Sequence, residues 1–586
     1  MPCAKCRCAS GSASRPCGAP DVLHSVVVEL PIRGGAPDAV TSLPARDARA
    51  SAVDDPHRAV SVWQAPGRRG LSDPQLVELY RKHGRRTPHD VPGAFAFVLY
   101  DPAAGVVLAA RDAVGTRPLY YQRIRGAVRV ACSLAPFADR EILAAEVDSR
   151  WLAAYLEGLA PAEGHTAFDG VQELLPGQML WGEDGHLHTT RWHGFSAPPS
   201  AVSDPNAAIE AYHQAVRNAA RTDGRPAAVE LGITLAANVL LAAATGEGAS
   251  RDDGLWGVGF ANFDRSRDAI LEAARRDRLA GADVISGWPG RGTTWRHWYR
   301  SGAGAVGQPV YHTDLMFQAL LDCMDGIGRS LLLAGGNDCA FGWEFRPPLA
   351  SRRDATMFHR AARAVRGVGS SLRGVRTPRR QASPSGRWQP GPFISPAVAA
   401  DLGLAQLARA HWQTAAEPPV TGYAAWTEHG LVQGQRERLS TWYLLGQAMG
   451  IDVEFPLFDP AVVAALLALP REFNDLEGMP GAVALQLLPS RVNDVDWRAR
   501  RWPGQERSKT PDEVAANGAA RRAYLRENLH PRLEALLNMD VLGPRLAAQE
   551  PAGVNEVYEG QRRRQSSVEF AHIEAANYWL ESWSIP

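Results

Sequence analysis

The sequence predicts an α/β protein built in two unlike parts, and three observations carry that reading. Between residues 22 and about 192, short β-rich runs alternate with turns, as at 23–30 and 105–110. A Pro/Ser/Ala-rich connector, residues 194–206, then breaks the pattern. Beyond it, helical periods alternate with short apolar strands, the signature of a mostly parallel sheet covered by helices, and the C-terminal part turns helical.

Taken in order, residues 1–20 read as a flexible tail, 21–193 as the β-rich domain, 194–207 as a linker and 208–586 as the larger α/β domain. The tail holds four of the seven cysteines, Cys3, Cys6, Cys8 and Cys17. Thiolates at that spacing can hold zinc. No histidine or second C-x2-C pair completes a usual set, so the same segment also reads as a Ser/Gly/Ala-rich tail that happens to carry thiols. A basic, Pro/Gly/Ser-rich stretch at 366–396, with Arg373, Arg376, Arg379, Arg380 and Arg387, reads as a mobile loop.

Composition narrows the function classes. The 586 residues include 63 Lys+Arg and 63 Asp+Glu, a formal net charge of zero. That balance gives no electrostatic footprint for nucleic acid or an anionic membrane. The longest apolar run, at 235–245, is far short of the roughly 18 residues a membrane span needs. The N-terminus has no basic-then-apolar leader pattern, so a cytoplasmic location is expected. Only Lys5, Lys82 and Lys509 are lysines, so a mechanism that needs a catalytic lysine has one candidate, Lys509.

Two strand ends stand out in the second domain. The first strand, 227–231, meets a helix at 236–244 through Gly232-Ile233-Thr234-Leu235. The second, 330–334, runs into Gly335-Gly336-Asn337-Asp338-Cys339-Ala340-Phe341-Gly342. Ligands of open α/β sheets bind outside the carboxyl ends of the strands, so both segments are expected to face one crevice. A phosphate cradle needs glycines for close backbone approach, free N–H groups at a helix start, and hydroxyls. Gly232 and Thr234 suit that role. Ile233 puts a β-branched side chain where bare backbone is wanted, and Ala236 and Ala237 offer nothing polar. Farther on, Asp459-Pro460 predicts a helix start, with a capping carboxylate and proline in the first turn.

Several motifs together resemble the asparagine synthetase superfamily, including its lasso-peptide cyclase branch. Pro92-Gly93-Ala94-Phe95-Ala96-Phe97 through Asp101 is similar to the G-x-F-A-F…D segment of that family. Ala110-Arg111-Asp112, Gly115 and Pro118-Leu119-Tyr120-Tyr121 are similar to its A-R-D-x-x-G-x-x-P-L-Y-Y. Ser72-Asp73 with Tyr80 and Gly84, Thr166 to Val171, Leu175-Pro176-Gly177-Gln178, and Gly450 to Asp459 extend the likeness. The resemblance implies an amidotransferase-like sandwich of the N-terminal-nucleophile (Ntn) kind, followed by a PP-loop ATPase-type domain. It also implies glutamine hydrolysis by an N-terminal cysteine, then adenylation with ATP and magnesium.

The chain departs from that family where the chemistry is done. It begins Met1-Pro2-Cys3, and only trimming to Cys17-Gly18-Ala19 would expose a cysteine start. The N-G-E substrate motif has no counterpart between Ala59 and Asp73. The pyrophosphate turn S-G-G-x-D-S keeps only its variable position, Leu235. The magnesium motif G-G-D-E-L-F-G keeps Asp338, Phe341 and Gly342 but has Cys339 for glutamate, so Asp338 also reads as a helix cap. The R-x-K element resembles Arg500-Arg501-Trp502-Pro503-Gly504 without its lysine, and Lys509 lies out of register.

Three function classes follow. The expected one is a pseudoenzyme, a degenerate scaffold with no cofactor that binds a peptide or a partner biosynthetic enzyme. A second is an active amide-forming ligase in which Asp338, Lys509 and Thr234 help to hold ATP and magnesium. A third is a zinc module at Cys3, Cys6, Cys8 and Cys17.

Overall fold

The structure, a computed structural model, describes residues 27–31, 51–53, 60–66, most of 70–195 and 204–335, then 390–416, 436–469, parts of 475–487, 511–547 and 562–585. The cysteine tail, Ile233, Asp338, Cys339, Lys509 and all of the basic loop before residue 390 lie outside the described residues.

Two antiparallel sheets form the first part. One has the order β1 (Val27–Pro31), β7 (Ala127–Ala131), β6 (Tyr120–Ile124), β8 (Val171–Glu173). The other runs β10 (His186–Arg191), β9 (Gln178–Glu183), β5 (Val106–Arg111), β4 (Phe95–Asp101), β3 (Val60–Pro66), β2 (Ser51–Val53). The period of two along β4 explains why this strand is buried on both faces. Ala96, Val98 and Tyr100 pack between the sheets with Leu30, Val128 and Val130. Phe95, Phe97 and Leu99 pack outward under Leu76, Val77 and Tyr80 of helix Asp73–His83. That helix starts where Ser72 N–H donates to Gln75 Oε1 at 2.9 Å.

The second part opens with helix Pro205–Ala220, capped by Asp204, whose Oδ1 accepts from Asn206 N and Ala207 N at 3.0 and 3.2 Å. Its sheet is wholly parallel, in the order β13 (Gly281–Ser286), β12 (Trp256–Ala261), β11 (Ala228–Leu231), β14 (Ser330–Leu332), β15 (Asp452–Glu454). The chain runs outward from β11 to β13 and then resumes on the other side of β11. The strand order therefore reverses between β11 and β14, the place where doubly wound sheets open a crevice. The expected helix after Asp459 is Pro460–Ala468, and Asp459 Oδ1 accepts from Ala461 N at 2.9 Å. Helices Pro511–Asn528, Pro531–Leu536, Met539–Ala547 and Arg562–Ser582 complete the C-terminal part. Among the described residues, no helix is long and apolar enough to cross a membrane.

The two parts share one continuous core, to which Val114 and Phe168 contribute from the first and Val453 and Trp579 from the second. Two fully buried arginines cross the junction. Arg111 donates to Glu173 Oε1, to Leu174 O at 2.8 Å and to Ser440 Oγ at 2.8 Å. Arg436 lies 3.2 Å from the other Glu173 oxygen. Arg117 donates to Val453 O at 3.0 Å and Glu454 Oε1 at 2.7 Å, with its guanidinium 4.2 Å above the Tyr443 ring. Burial alone pushes the Glu173 carboxyl up, but Arg436 and Arg111 outweigh it and hold the group below the usual glutamate range. A depressed acid stabilises the fold above its ordinary range and loses that contribution as pH falls, so this junction weakens in acid.

Removing one partner of such a pair strands the other charge in a dry place. Arg117→Met is expected to cost about 3–5 kcal/mol in denaturant unfolding, and the double variant Arg117→Met, Glu454→Gln to recover most of that loss.

Candidate functional site

The switch point at the carboxyl ends of β11 and β14, where a doubly wound sheet is expected to bind its ligand, is bordered by three short segments. The first is the junction between β11 and helix Leu235–Thr245. That helix is apolar on nearly all sides, which suits burial against the sheet rather than a solvent-facing role. Its start is sealed from within. Thr234 Oγ1 accepts from Ala237 N–H at 3.2 Å. The Asn238 amide donates to Gly232 O at 3.2 Å and to Thr234 O at 2.7 Å. Ala236 and Ala237 are buried beneath the turn. Of the residues expected at a nucleotide turn, Gly232, Thr234, Ala236 and Ala237 thus do come together, spent on one another. Asn238, which clamps the turn, was not among them. Its signal was its place one position beyond the two alanines, where a side chain can reach back over a turn.

The second segment follows β14. Gly335 has φ +81°, and a Cβ there would lie 2.3 Å from Cε2 of Phe458, so only glycine lets the chain pass this ring. Phe458 belongs to the 3-10 turn Pro456–Phe458, the third segment, which follows β15. β15 is tied to the same edge by Leu333 N–H donating to Glu454 O at 2.8 Å.

Among the described residues, Glu230 puts a carboxyl at this switch point. It stands one residue before the end of β11 and reaches across to the segment just after β14, where its Oε2 accepts from Ala334 N at 2.8 Å. Burial pushes its carboxyl up, and the hydrogen bond from Ala334 offsets only part of that. The signal for it was legible: one carboxylate in the strand Ala-Val-Glu-Leu, where a central parallel strand calls for apolar side chains on both faces. No group of three or more His, Cys, Asp or Glu residues able to hold a metal occurs among the described residues. The free thiols of Cys132 and Cys323 are both pushed up to about 11 by burial, Cys323 also by nearby Asp283 and Asp322, so neither is a ready nucleophile.

Residues 69–193 match the glutamine amidotransferase domain family. Over 153 residues the chain is 29% identical to the glutamine-hydrolysing asparagine synthetase of Sandersonia aurantiaca, covering 25% of this chain and 24% of that one. Part of the chain is thus similar to asparagine synthetases. The chain is also 34% identical over 113 residues to amidase chyE of Penicillium rubens, and 32% identical over 113 residues to amidase chry2 of Gibberella zeae. Each of those matches covers 19% of this chain and 16% of the relative. The chain thus spans a quarter or less of the curated relatives it matches. Two solved structures also align, an allosteric regulatory enzyme of purine biosynthesis and the glutamine phosphoribosylpyrophosphate amidotransferase of B. subtilis complexed with ADP and GMP. They share 13% and 12% identity, with TM-scores of 0.17 and 0.19. They cover 40% and 53% of this chain and 62% and 75% of their own. Superpositions that loose carry no argument.

If the turn is a packed junction, its polar groups stabilise the fold. Thr234→Ala is expected to lower unfolding stability by about 1 kcal/mol, the usual cost of losing a helix cap. Asn238→Ala, which strips the donors from Gly232 O and Thr234 O, is expected to cost about 1–3 kcal/mol in the same denaturant measurement.

Proposed function

We propose that this chain is a catalytically degenerate asparagine synthetase-like protein, a scaffold that binds a peptide or a partner enzyme in a pathway making a modified peptide or another amide. The observation that carries this reading is the strand–helix turn at 232–238. A nucleotide cradle works because the first N–H groups of the helix have no intrahelical partner and point at phosphate. Here Thr234 takes the N–H of Ala237, and Asn238 laces the carbonyls behind it. One of the N–H donors that a pyrophosphate would use, that of Ala237, is thus already taken by the turn itself.

Glu230 adds to this. Its buried carboxyl, which accepts from Ala334 N, brings no free donor for phosphate to this switch point. The group the fold family implies, ATP with magnesium, therefore does not fit the residues described at this switch point. Charge-assisted hydrogen bonds to phosphate contribute about 1.5–3 kcal/mol each, so losing three of them weakens binding by several powers of ten.

The packing motifs, by contrast, are intact. Arg111 of the A-R-D motif crosses the junction to Ser440, and Asp112 ties together its own loop in the first part. The Asp112 carboxylate accepts from Phe95 N, Val114 N and Gly115 N at 3.2, 2.9 and 2.7 Å. Intact packing beside a closed nucleotide turn is the pattern expected when selection keeps a shape and releases a reaction.

Calorimetry on the full chain tests the proposal. Millimolar ATP with magnesium is expected to give no binding heat, and glutamine is expected to release no ammonia. Micromolar nucleotide affinity that disappears in Asp338→Ala would put the amide-ligase reading in its place.

A further inference from the structure

Helix Arg562–Ser582 carries a carboxyl into a dry place. Glu574 is 1% exposed, and neither of its oxygens has a hydrogen-bond partner. Its ion-pair partner is Arg521 of helix Pro511–Asn528, with Nε 3.4 Å from Oε2. Arg296 and Tyr299 face it from helix Thr294–Val306, and Tyr578 lies one turn along its own helix. These groups line a slab of rings: Tyr524 stacks on Tyr578 at 4.5 Å and Tyr578 on Tyr299 at 5.7 Å. Arg296 lies over Tyr524 at 5.2 Å and Arg300 over Tyr578 at 5.3 Å. Arg300 is engaged by Glu581 at 3.1 Å, and Asp314 bears on Tyr299 from helix His312–Asp322.

An ionised carboxylate needs several hydrogen bonds to live without water, and Glu574 has an ion pair in their place. A protonated carboxyl costs far less to bury there than the ionised form, because it carries no net charge. We propose that Glu574 makes the seating of helix Arg562–Ser582 proton-dependent, the helix being held firmly while the acid is protonated and loosened when it ionises. Desolvation pushes this carboxyl up to about 7, and Arg521 and Arg296 pull the other way without cancelling it. A raised acid binds its proton more tightly in the fold than in the open chain. Its contribution is therefore complete below the ordinary glutamate range of about 4.3 and is lost as pH rises to about 7.

The helix is a sensible place for such control because it touches both parts of the molecule. Trp579 donates to Gly307 O at 3.0 Å and meets Phe168 of the first part edge-on at 5.8 Å. On another side of the helix, His572 packs on Tyr155 at 5.0 Å. Burial holds His572 below its usual range, so its own effect appears as pH falls and has the opposite sign.

Hydrogen–deuterium exchange of helix 562–582 in the full chain, corrected for intrinsic exchange, tests this. Between about pH 5 and 7.5, helix opening is expected to rise at least about tenfold more in the native chain than in Glu574→Gln. His572 is common to both and cancels. Parallel pH profiles in the two proteins would overturn the proposal. Should the glutamine variant fail to fold, Glu574→Leu removes the same proton and suits the ring slab. It is expected to show the same loss of pH dependence, and a profile like that of the native chain would again overturn the proposal.

Discussion

Arg117 sits with no exposure to solvent, and much of the architecture is arranged around that fact. Carrying a guanidinium out of water costs several kcal/mol, which only well-placed partners can offset. Glu454, the Val453 carbonyl and the Tyr443 ring supply them, and all three belong to the second part of the chain. The same Glu454 receives Leu333 N–H through its backbone carbonyl. Leu333 in turn precedes Ala334, whose N–H is held by Glu230. A charge buried at the sandwich is thus linked, residue by residue, to the edge of the crevice about which the parallel sheet reverses. Arg111 repeats the device through Glu173, Arg436 and Ser440.

Much of the fold was legible because its signals are local. The strand expected at 227–231 is Ala228–Leu231, and the helix expected at 236–244 is Leu235–Thr245, the residue ahead of it being the cap. Asp459 was readable as a cap because carboxylate and proline stand side by side. The run expected at 23–30 appears as Val27–Pro31, set by its pairing with Ala127–Ala131 rather than by its own composition. What could not be read was the junction. Arg111 and Gly115 were legible only as members of a motif, and nothing near them in sequence announces Ser440 or Arg436 as partners. Such pairings are made by topology, across more than 300 residues in the case of Arg117 and Glu454. At the site, the loss of polar positions at Ala236 and Ala237 was plain, but the clamp by Asn238 depends on a rotamer that a sequence does not display.

The crevice gives a physical picture of how such a site can close without harm to the fold. A phosphate turn keeps hydrogen-bonding groups open at some cost to stability, since orphan N–H groups at a helix start must wait for a ligand. Thr234 Oγ1, by accepting from Ala237 N–H, relieves part of that cost, and the Asn238 amide ties down the Gly232 and Thr234 carbonyls. Placing methyl groups at Ala236 and Ala237 adds burial in place of a desolvated carboxylate. Each change improves the packed state on its own terms, so erosion of this kind needs no compensating change elsewhere.

Gly307 is where three separately made pieces of chain meet. It has φ +80°, and a Cβ there would lie 2.2 Å from the backbone nitrogen of Ala135 in the sandwich. Its carbonyl receives Trp579, 272 residues later in the sequence. A ribosome therefore finishes both the sandwich and the parallel sheet well before the indole that seals them exists. During that interval the apolar walls around Gly307 and Phe168 stand open to water, and nascent chains in that state are the ones that stick to each other or to chaperones. Yield in a foreign host should thus be governed less by the stability of the finished protein than by how long synthesis leaves that seam unsealed.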